Sequence, residues 1–250
     1  MSAPWTPFEN NSARSVDYAA IDRVAHLHHL NGVTDVWVAG GMAQWPQHTD
    51  EERVRVFAAW AKHSAKFQEV MCHVGSDDVT RSAALARAAK DAGCTSLAAL
   101  PARGTGSVGV LSTWMKALVD AADGELPLYY YHIPGSTGVT INIKQICDAL
   151  VETLGDKFAG VKFVENDVSK FHAIRKKHPS VRMYWAQNPK VQSFVFGADS
   201  FVLAEHYAAP YIVKMYNAYH GNDDDVLEWV DKYETMMSAV RAAGAQGRDV

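Results

Sequence analysis

The amino-acid sequence predicts an α/β fold, a single (β/α)8 TIM barrel. Eight short β-branched or aromatic runs alternate with longer helical patterns from one end of the chain to the other, which implies parallel strands joined by helical crossovers. The 250 residues, 48% hydrophobic and 21% charged, suit one barrel-sized domain with a sizeable core. A doubly wound open sheet would show the same alternation, and the number of strands favours the barrel.

The elements follow in order. Ala3–Phe8 reads as the first strand, and Val16–Leu30, apolar at spacings of three and four, as its helix. Val33–Gly41 is the second strand. Thr49-Asp50-Glu51-Glu52 then has the capping-box form, in which Thr49 bonds the third-position amide and Glu52 reaches back, so it opens a helix over Asp50–Ser64. Phe67–Val74 precedes the helix Val79–Ala92, which Gly93 ends as a left-handed residue. Thr95–Ala102 pairs with the helix Leu111–Ala122, Leu126–Ile133 with Ile143–Leu154, Ala159–Val164 with Val168–Lys176, and Val181–Ala186 with Pro189–Phe196. Ser200–Tyr207 is the last strand. Asn222 and Asp223, Asp224 and Asp225 precede a helix from Val226 towards Ala242, a solvated start favoured by the helix dipole. Residues 1–208 are expected to hold the barrel strands and helices. Residues 209–250 are expected to add the last helix and a shortened helical extension of the same domain.

The formal net charge is -4, with Lys and Arg scattered, so no nucleic-acid or membrane surface is expected. Cys72, Cys94 and Cys147 each lie in or beside an apolar stretch without a pairing pattern, and they read as reduced thiols of a cytoplasmic protein. The first five residues are neither basic nor apolar enough for a signal peptide, and no apolar run is long enough to span a bilayer.

Lys162 stands in Phe158-Ala159-Gly160-Val161-Lys162-Phe163-Val164, which otherwise reads as a buried strand. Desolvation disfavours an ammonium there, and a neutral amine can attack a ketone to form a Schiff base. A lysine paired with a carboxylate, or one snorkelling from a strand end, fits the same pattern. Strand alternation puts Gly160 on the same face, where it is expected to leave room beside the amine. Tyr131 ends a Tyr129-Tyr130-Tyr131 run where a strand meets a loop, the end at which barrel active sites lie. Its phenol suits proton relay, while Tyr129 and Tyr130 are expected to pack.

Tyr129 to Pro134 followed by Thr137-Gly138-Val139, together with Gly160-Val161-Lys162-Phe163, resembles the N-acetylneuraminate lyase and dihydrodipicolinate synthase family of pyruvate-dependent lyases, its N-acetylneuraminate lyase branch most of all. Thr6-Pro7-Phe8, Trp45-Pro46, Thr49 to Arg53 and His73-Val74-Gly75 match in the same order, so the similarity covers nearly the whole chain. The resemblance implies reversible aldol cleavage of a 2-oxo acid to pyruvate and an aldehyde. It assigns imine formation to Lys162 and proton transfer to Tyr131. It also implies no metal or organic cofactor, a small-molecule carbonyl partner, and a homo-oligomer of four or two chains.

The sequence departs from the family at the substrate loops. Gly40-Gly41-Met42-Ala43-Gln44 lacks both hydroxyls of the family's carboxylate loop, leaving backbone amides as an anion nest. Each lost hydrogen bond to a carboxylate is worth roughly 1.5–3 kcal/mol. Gln187-Asn188 replaces an acidic pair, and Ala204 replaces a serine before Glu205-His206. Glu205 and His206 end a strand, so alternation sends them to opposite faces. Arg103 can meet an anionic substrate or serve as an ordinary surface arginine. Gly104-Thr105-Gly106-Ser107-Val108-Gly109 fits a dinucleotide pattern but follows the wrong strand, and reads as a loop. His26, His28 and His29 fall around a helix instead of sharing a metal-binding face. These features also admit a different imine enzyme on the same scaffold (a decarboxylase, dehydratase or condensing enzyme) or a non-catalytic binding barrel.

Overall fold

The computed structural model describes residues 1–12, 14–187, 192–204, 206–221 and 225–242. In chain order the helices and strands are α1 (Tyr18–Leu30), β1 (Asp35–Val38), α2 (Asp50–Ala61), β2 (Glu69–His73), α3 (Val79–Ala92), β3 (Ser96–Ala99), α4 (Val108–Ala121), β4 (Leu128–His132), the short α5 (Pro134–Thr137), α6 (Ile143–Leu154), β5 (Phe158–Phe163), α7 (Val168–Lys177), β6 (Arg182–Trp185), α8 (Gln192–Val195), β7 (Ser200–Phe201), α9 (Ala209–Gly221) and α10 (Val226–Ala242).

The seven strands form one sheet in sequential order, every neighbouring pair parallel. Both faces are covered, as an all-parallel sheet requires. Trp37, Met71, Ala98, Tyr131 and Tyr184 pack together on the concave side. Val36, Val70, Cys72, Leu97, Tyr130 and Phe163 face the helices on the other.

The first expected strand differs. Ala3–Phe8 carries no regular strand; instead Ser2 bridges both Val36 of β1 and Leu203 just beyond β7. The Ser2 amide donates to the Asp35 carbonyl at 2.7 Å and the Ala3 amide to that of Leu203 at 2.9 Å. Pro4 and Pro7 carry no N–H for a ladder, and the Pro7 carbonyl accepts instead from Asp17, where α1 begins. The last expected strand is also shorter, because the chain turns into a 3-10 segment at His206–Ala208.

Local signals hold where they involve backbone satisfaction. The Thr49 hydroxyl accepts from the Glu52 amide at 3.2 Å, and the Glu52 carboxylate accepts from the Thr49 amide at 2.9 Å. Gly93 ends α3 at φ 89°. His28 is buried and bonds Ser2 Oγ and the Val24 carbonyl, which engages both ring nitrogens.

The expectation of three reduced thiols is corrected. Cys72 and Cys94 form a disulfide with their Cα atoms 6.2 Å apart. Cys72 lies in β2 and Cys94 just before β3, so the parallel pairing that a helical crossover creates brings them within bridging range. Cys147 is free and buried.

Candidate active site

Lys162 is the fifth residue of β5, and alternation turns it to the concave face with Gly160. It is 4% exposed. Its Nζ stands 4.3 Å from the centre of the Tyr131 ring and 4.9 Å from that of Trp37. No carboxylate pairs with it among the described residues. Aromatic faces favour the ammonium only modestly, whereas burial disfavours it strongly. Burial wins and pushes the Lys162 pKa down to about 7.

Gly160 does not serve the amine, contrary to the expectation from sequence. A Cβ there would collide with the Arg182 carbonyl oxygen and stand 2.7 Å from the Tyr129 ring. The space belongs to Tyr129, whose hydroxyl donates to Glu69 at 2.7 Å. Glu69 also accepts from Ser96 Oγ at 3.0 Å and pairs with Arg182. These side chains come from the starts of β2, β3 and β6 and the second residue of β4, so they floor the site on the N-terminal side of Lys162.

Tyr131 is the register partner of Lys162 across β4 and β5. Burial pushes its phenol up to about 12, so it is neutral near pH 7. The Tyr131 hydroxyl lies 3.5 Å from where a Cβ on Gly41 would stand, which puts it against the loop after β1. In that loop the Ala43 amide donates to the Gly40 carbonyl at 3.1 Å and the Gln44 amide to that of Gly41 at 2.9 Å. Ala39 and Gln44 adopt left-handed φ of 54° and 56° at its two ends. The amides of Gly41 and Met42 have no acceptor among the described residues, so they are available to an anion.

Trp45, Arg53 and His73, which the sequence marks only as parts of matching motifs, and Trp37, which it does not mark, also lie at the site. The Trp37 ring packs edge-on to Tyr131 at 5.4 Å, as does that of His73 at 6.0 Å. Arg53 is fully buried. Its Nη2 donates to the carbonyls of His73 at 2.5 Å and Gly75 at 3.2 Å, and its guanidinium lies 5.1 Å from the centre of the Trp45 ring. Among the described residues it has no carboxylate partner; burial lowers its pKa to about 10, so it stays charged at neutral pH. Burial, then the cations Arg53 and Lys162, hold His73 well below the ordinary histidine range and therefore neutral. Alternation from Glu69 through Met71 already places His73 on the face of Lys162. Arg53 carried no such signal, because arginine in the first turns of a helix ordinarily faces solvent.

The remaining expected residues do not converge on the amine to the same degree. Arg103 is exposed on the loop after β3, where its amide donates to Asp77 at 3.0 Å and its guanidinium lies 3.6 Å from the same carboxylate. Gln187 is half-buried beyond β6, and Ala204 is half-buried beyond Leu203. Asn188 and Glu205 lie outside the described residues. His206 belongs to a 3-10 turn, so the strand alternation argued for it does not apply. The glycine-rich stretch from Gly104 leads from β3 to α4, where Ser107 caps the helix by accepting from the Val110 amide at 3.4 Å.

The site is thus built on a buried lysine with no carboxylate partner among the described residues, on the concave face of a parallel sheet and facing a buried tyrosine. The model of the dihydrodipicolinate synthetase family matches residues 1–246, and the chain belongs to that family. The N-acetylneuraminate lyase of Homo sapiens is 28% identical over 214 residues, covering 82% of this chain and 61% of that protein. The chain thus spans less than two thirds of that relative's length. A protein of Chloroflexus aurantiacus described as an uncharacterized DapA-like lyase is 26% identical over 96% of this chain and 79% of its own. The same fold occurs in N-acetylneuraminate lyase of Proteus mirabilis, with a TM-score of 0.85, 22% identity, and coverage of 98% of this chain and 83% of that one. Dihydrodipicolinate synthase of Aquifex aeolicus gives a TM-score of 0.85 at 19% identity, covering 100% and 83%.

Proposed function

We propose that the protein is a Schiff-base lyase that reversibly cleaves a 2-oxo acid to pyruvate and an aldehyde, with a sialic-acid-like or altered substrate. The observation that carries this reading is Lys162, buried without a carboxylate and lowered to a pKa of about 7 beside its register partner Tyr131. In this reading Ser2 and its neighbours act as the remaining strand of a closed (β/α)8 barrel, and 209–250 completes the same domain. A homo-oligomer of two or four chains and a cytoplasmic location belong to it as well.

The free amine of Lys162 adds to C2 of the 2-oxo acid and water leaves, giving an iminium. Cleavage breaks the C3–C4 bond, and its electron pair moves towards the iminium to form an enamine. The proton of the C4 hydroxyl passes through the Tyr131 hydroxyl to C3. A phenol ionising near 12 relays a proton in this way and does not act as a free base. Hydrolysis then frees pyruvate and the amine. The Gly41 and Met42 amides hold the carboxylate, and the resemblance assigns the variable end of the substrate to Gln187, Asn188, Ala204, Glu205 and His206.

The test is borohydride trapping with pyruvate, read by intact mass and peptide mapping. Reduction onto Lys162 supports the reading; no adduct with pyruvate or larger 2-oxo acids, in a folded protein, overturns it. The match to the dihydrodipicolinate synthetase family favours a second reading, a condensing enzyme using the same imine. Product analysis with added aldehydes separates the two.

A further inference from the structure

Trp37 places an indole N–H beside Lys162, and that donor has no partner among the described residues. Nε1 is buried and has no hydrogen-bond partner, which leaves a desolvated donor uncompensated. The side chain is 0% exposed and its ring lies under the Lys162 amine. Its polar edge points to the loop after β1: a Cβ on Gly40 would stand 2.7 Å from Cδ1 and 2.8 Å from Nε1. The next two amides along that loop, those of Gly41 and Met42, have no protein acceptor among the described residues, Gly41 being exposed and Met42 half-buried. A buried donor without a partner and two backbone amides open to a ligand therefore meet at the loop that lacks side-chain hydroxyls.

We propose that Trp37 is the specificity-determining residue for the acid group: its indole N–H donates to a carboxylate oxygen of the 2-oxo acid seated on the Gly41 and Met42 amides, in place of a loop hydroxyl. This rests on the imine reading above. A carboxylate matches the site because it offers acceptors in several directions and carries the charge that strengthens each bond. The neighbouring buried guanidinium of Arg53 adds positive potential of the right sign. The ring of Trp37 is a separate asset, packing against Tyr131 and Lys162, so the N–H and the ring can be tested apart.

The experiment compares wild type and Trp37→Phe by borohydride trapping with pyruvate and with its neutral methyl ester. Loss of the donor is expected to weaken half-saturation by pyruvate about tenfold, equivalent to about 1.4 kcal/mol, with the ester changed far less. A second measurement needs no folded variant: in 15N-tryptophan-labelled wild type, the Trp37 indole proton should shift downfield on adding pyruvate. An unchanged acid-to-ester preference in a folded Trp37→Phe, or an indole signal that does not move at saturating pyruvate, overturns the proposal while leaving the lyase reading intact. Absence of any adduct in wild type removes both.

Discussion

Lys162 and Tyr131 face each other across the β4–β5 pair, with the lysine nitrogen 4.3 Å from the centre of the tyrosine ring. In the proposed mechanism such closeness couples a nucleophile to a proton relay, and the two act at different steps. Tyr131→Phe should slow cleavage of N-acetylneuraminate by roughly 10²–10⁴-fold while pyruvate still traps on Lys162. Lys162→Ala should abolish both. Pyruvate release and peptide mapping, run side by side, check the pair.

The rate of pyruvate trapping should rise with pH through a midpoint near 7, where Lys162 loses its proton, and then level off. Tyr131 does not ionise until about 12, so no second inflection is expected between them. A midpoint near the ordinary lysine value of 10.5 would mean that the amine is solvated in the protein in solution.

The same lowered pKa bears on stability. Between about 7 and 10.5 the unfolded chain binds the Lys162 proton and the folded chain does not, so the group's contribution to stability rises with pH across that window. Below 7 both states are protonated and the burial penalty is complete. Each tenfold change in the ionisation constant is worth about 1.4 kcal/mol. Lys162→Met should therefore gain most over wild type at or below pH 7, and the gain should shrink as pH approaches 10.5. Urea midpoints across that range measure it.

Under denaturing but non-reducing conditions one cysteine, Cys147, should alkylate, and all three after reduction. Closing a loop with a sequence separation of 22 corresponds to stabilisation of about 3 kcal/mol. Cys72→Ser should lower the unfolding free energy by an amount of that order.

Gly160→Ala tests the floor of the site. The new methyl has no room beside Tyr129 and the Arg182 carbonyl, and overpacking of this kind costs about 1–3 kcal/mol. Thermal melts should show the loss even where trapping on Lys162 survives.

Much of this was legible in the sequence because it depends on local backbone needs and on strand periodicity. Capping by Thr49 and Glu52, termination by Gly93, and the inward set of Tyr131 and Lys162 all follow from such rules. The Cys72–Cys94 bridge was not legible, since the expected barrel makes the two strands neighbours but only their register brings the two Cα atoms to 6.2 Å. Nor was the role of Gly160: periodicity gives the face a residue occupies, but not which neighbour fills the space a missing side chain leaves. Arg53 was missed for a related reason. Helical spacing tells which side of α2 turns inward, but the carbonyls of His73 and Gly75 that receive it come from the next strand.

The unequal surroundings of Gly40 and Gly41 set an order of operations for redesign. Position 40 admits nothing larger until the indole at 37 is reduced, so the two would have to be randomised together. Position 41 meets its nearest neighbour at an ordinary contact distance, and its backbone angles are not left-handed. A serine introduced there would return a hydroxyl to the loop in a single step, making it the natural entry point for altering substrate choice.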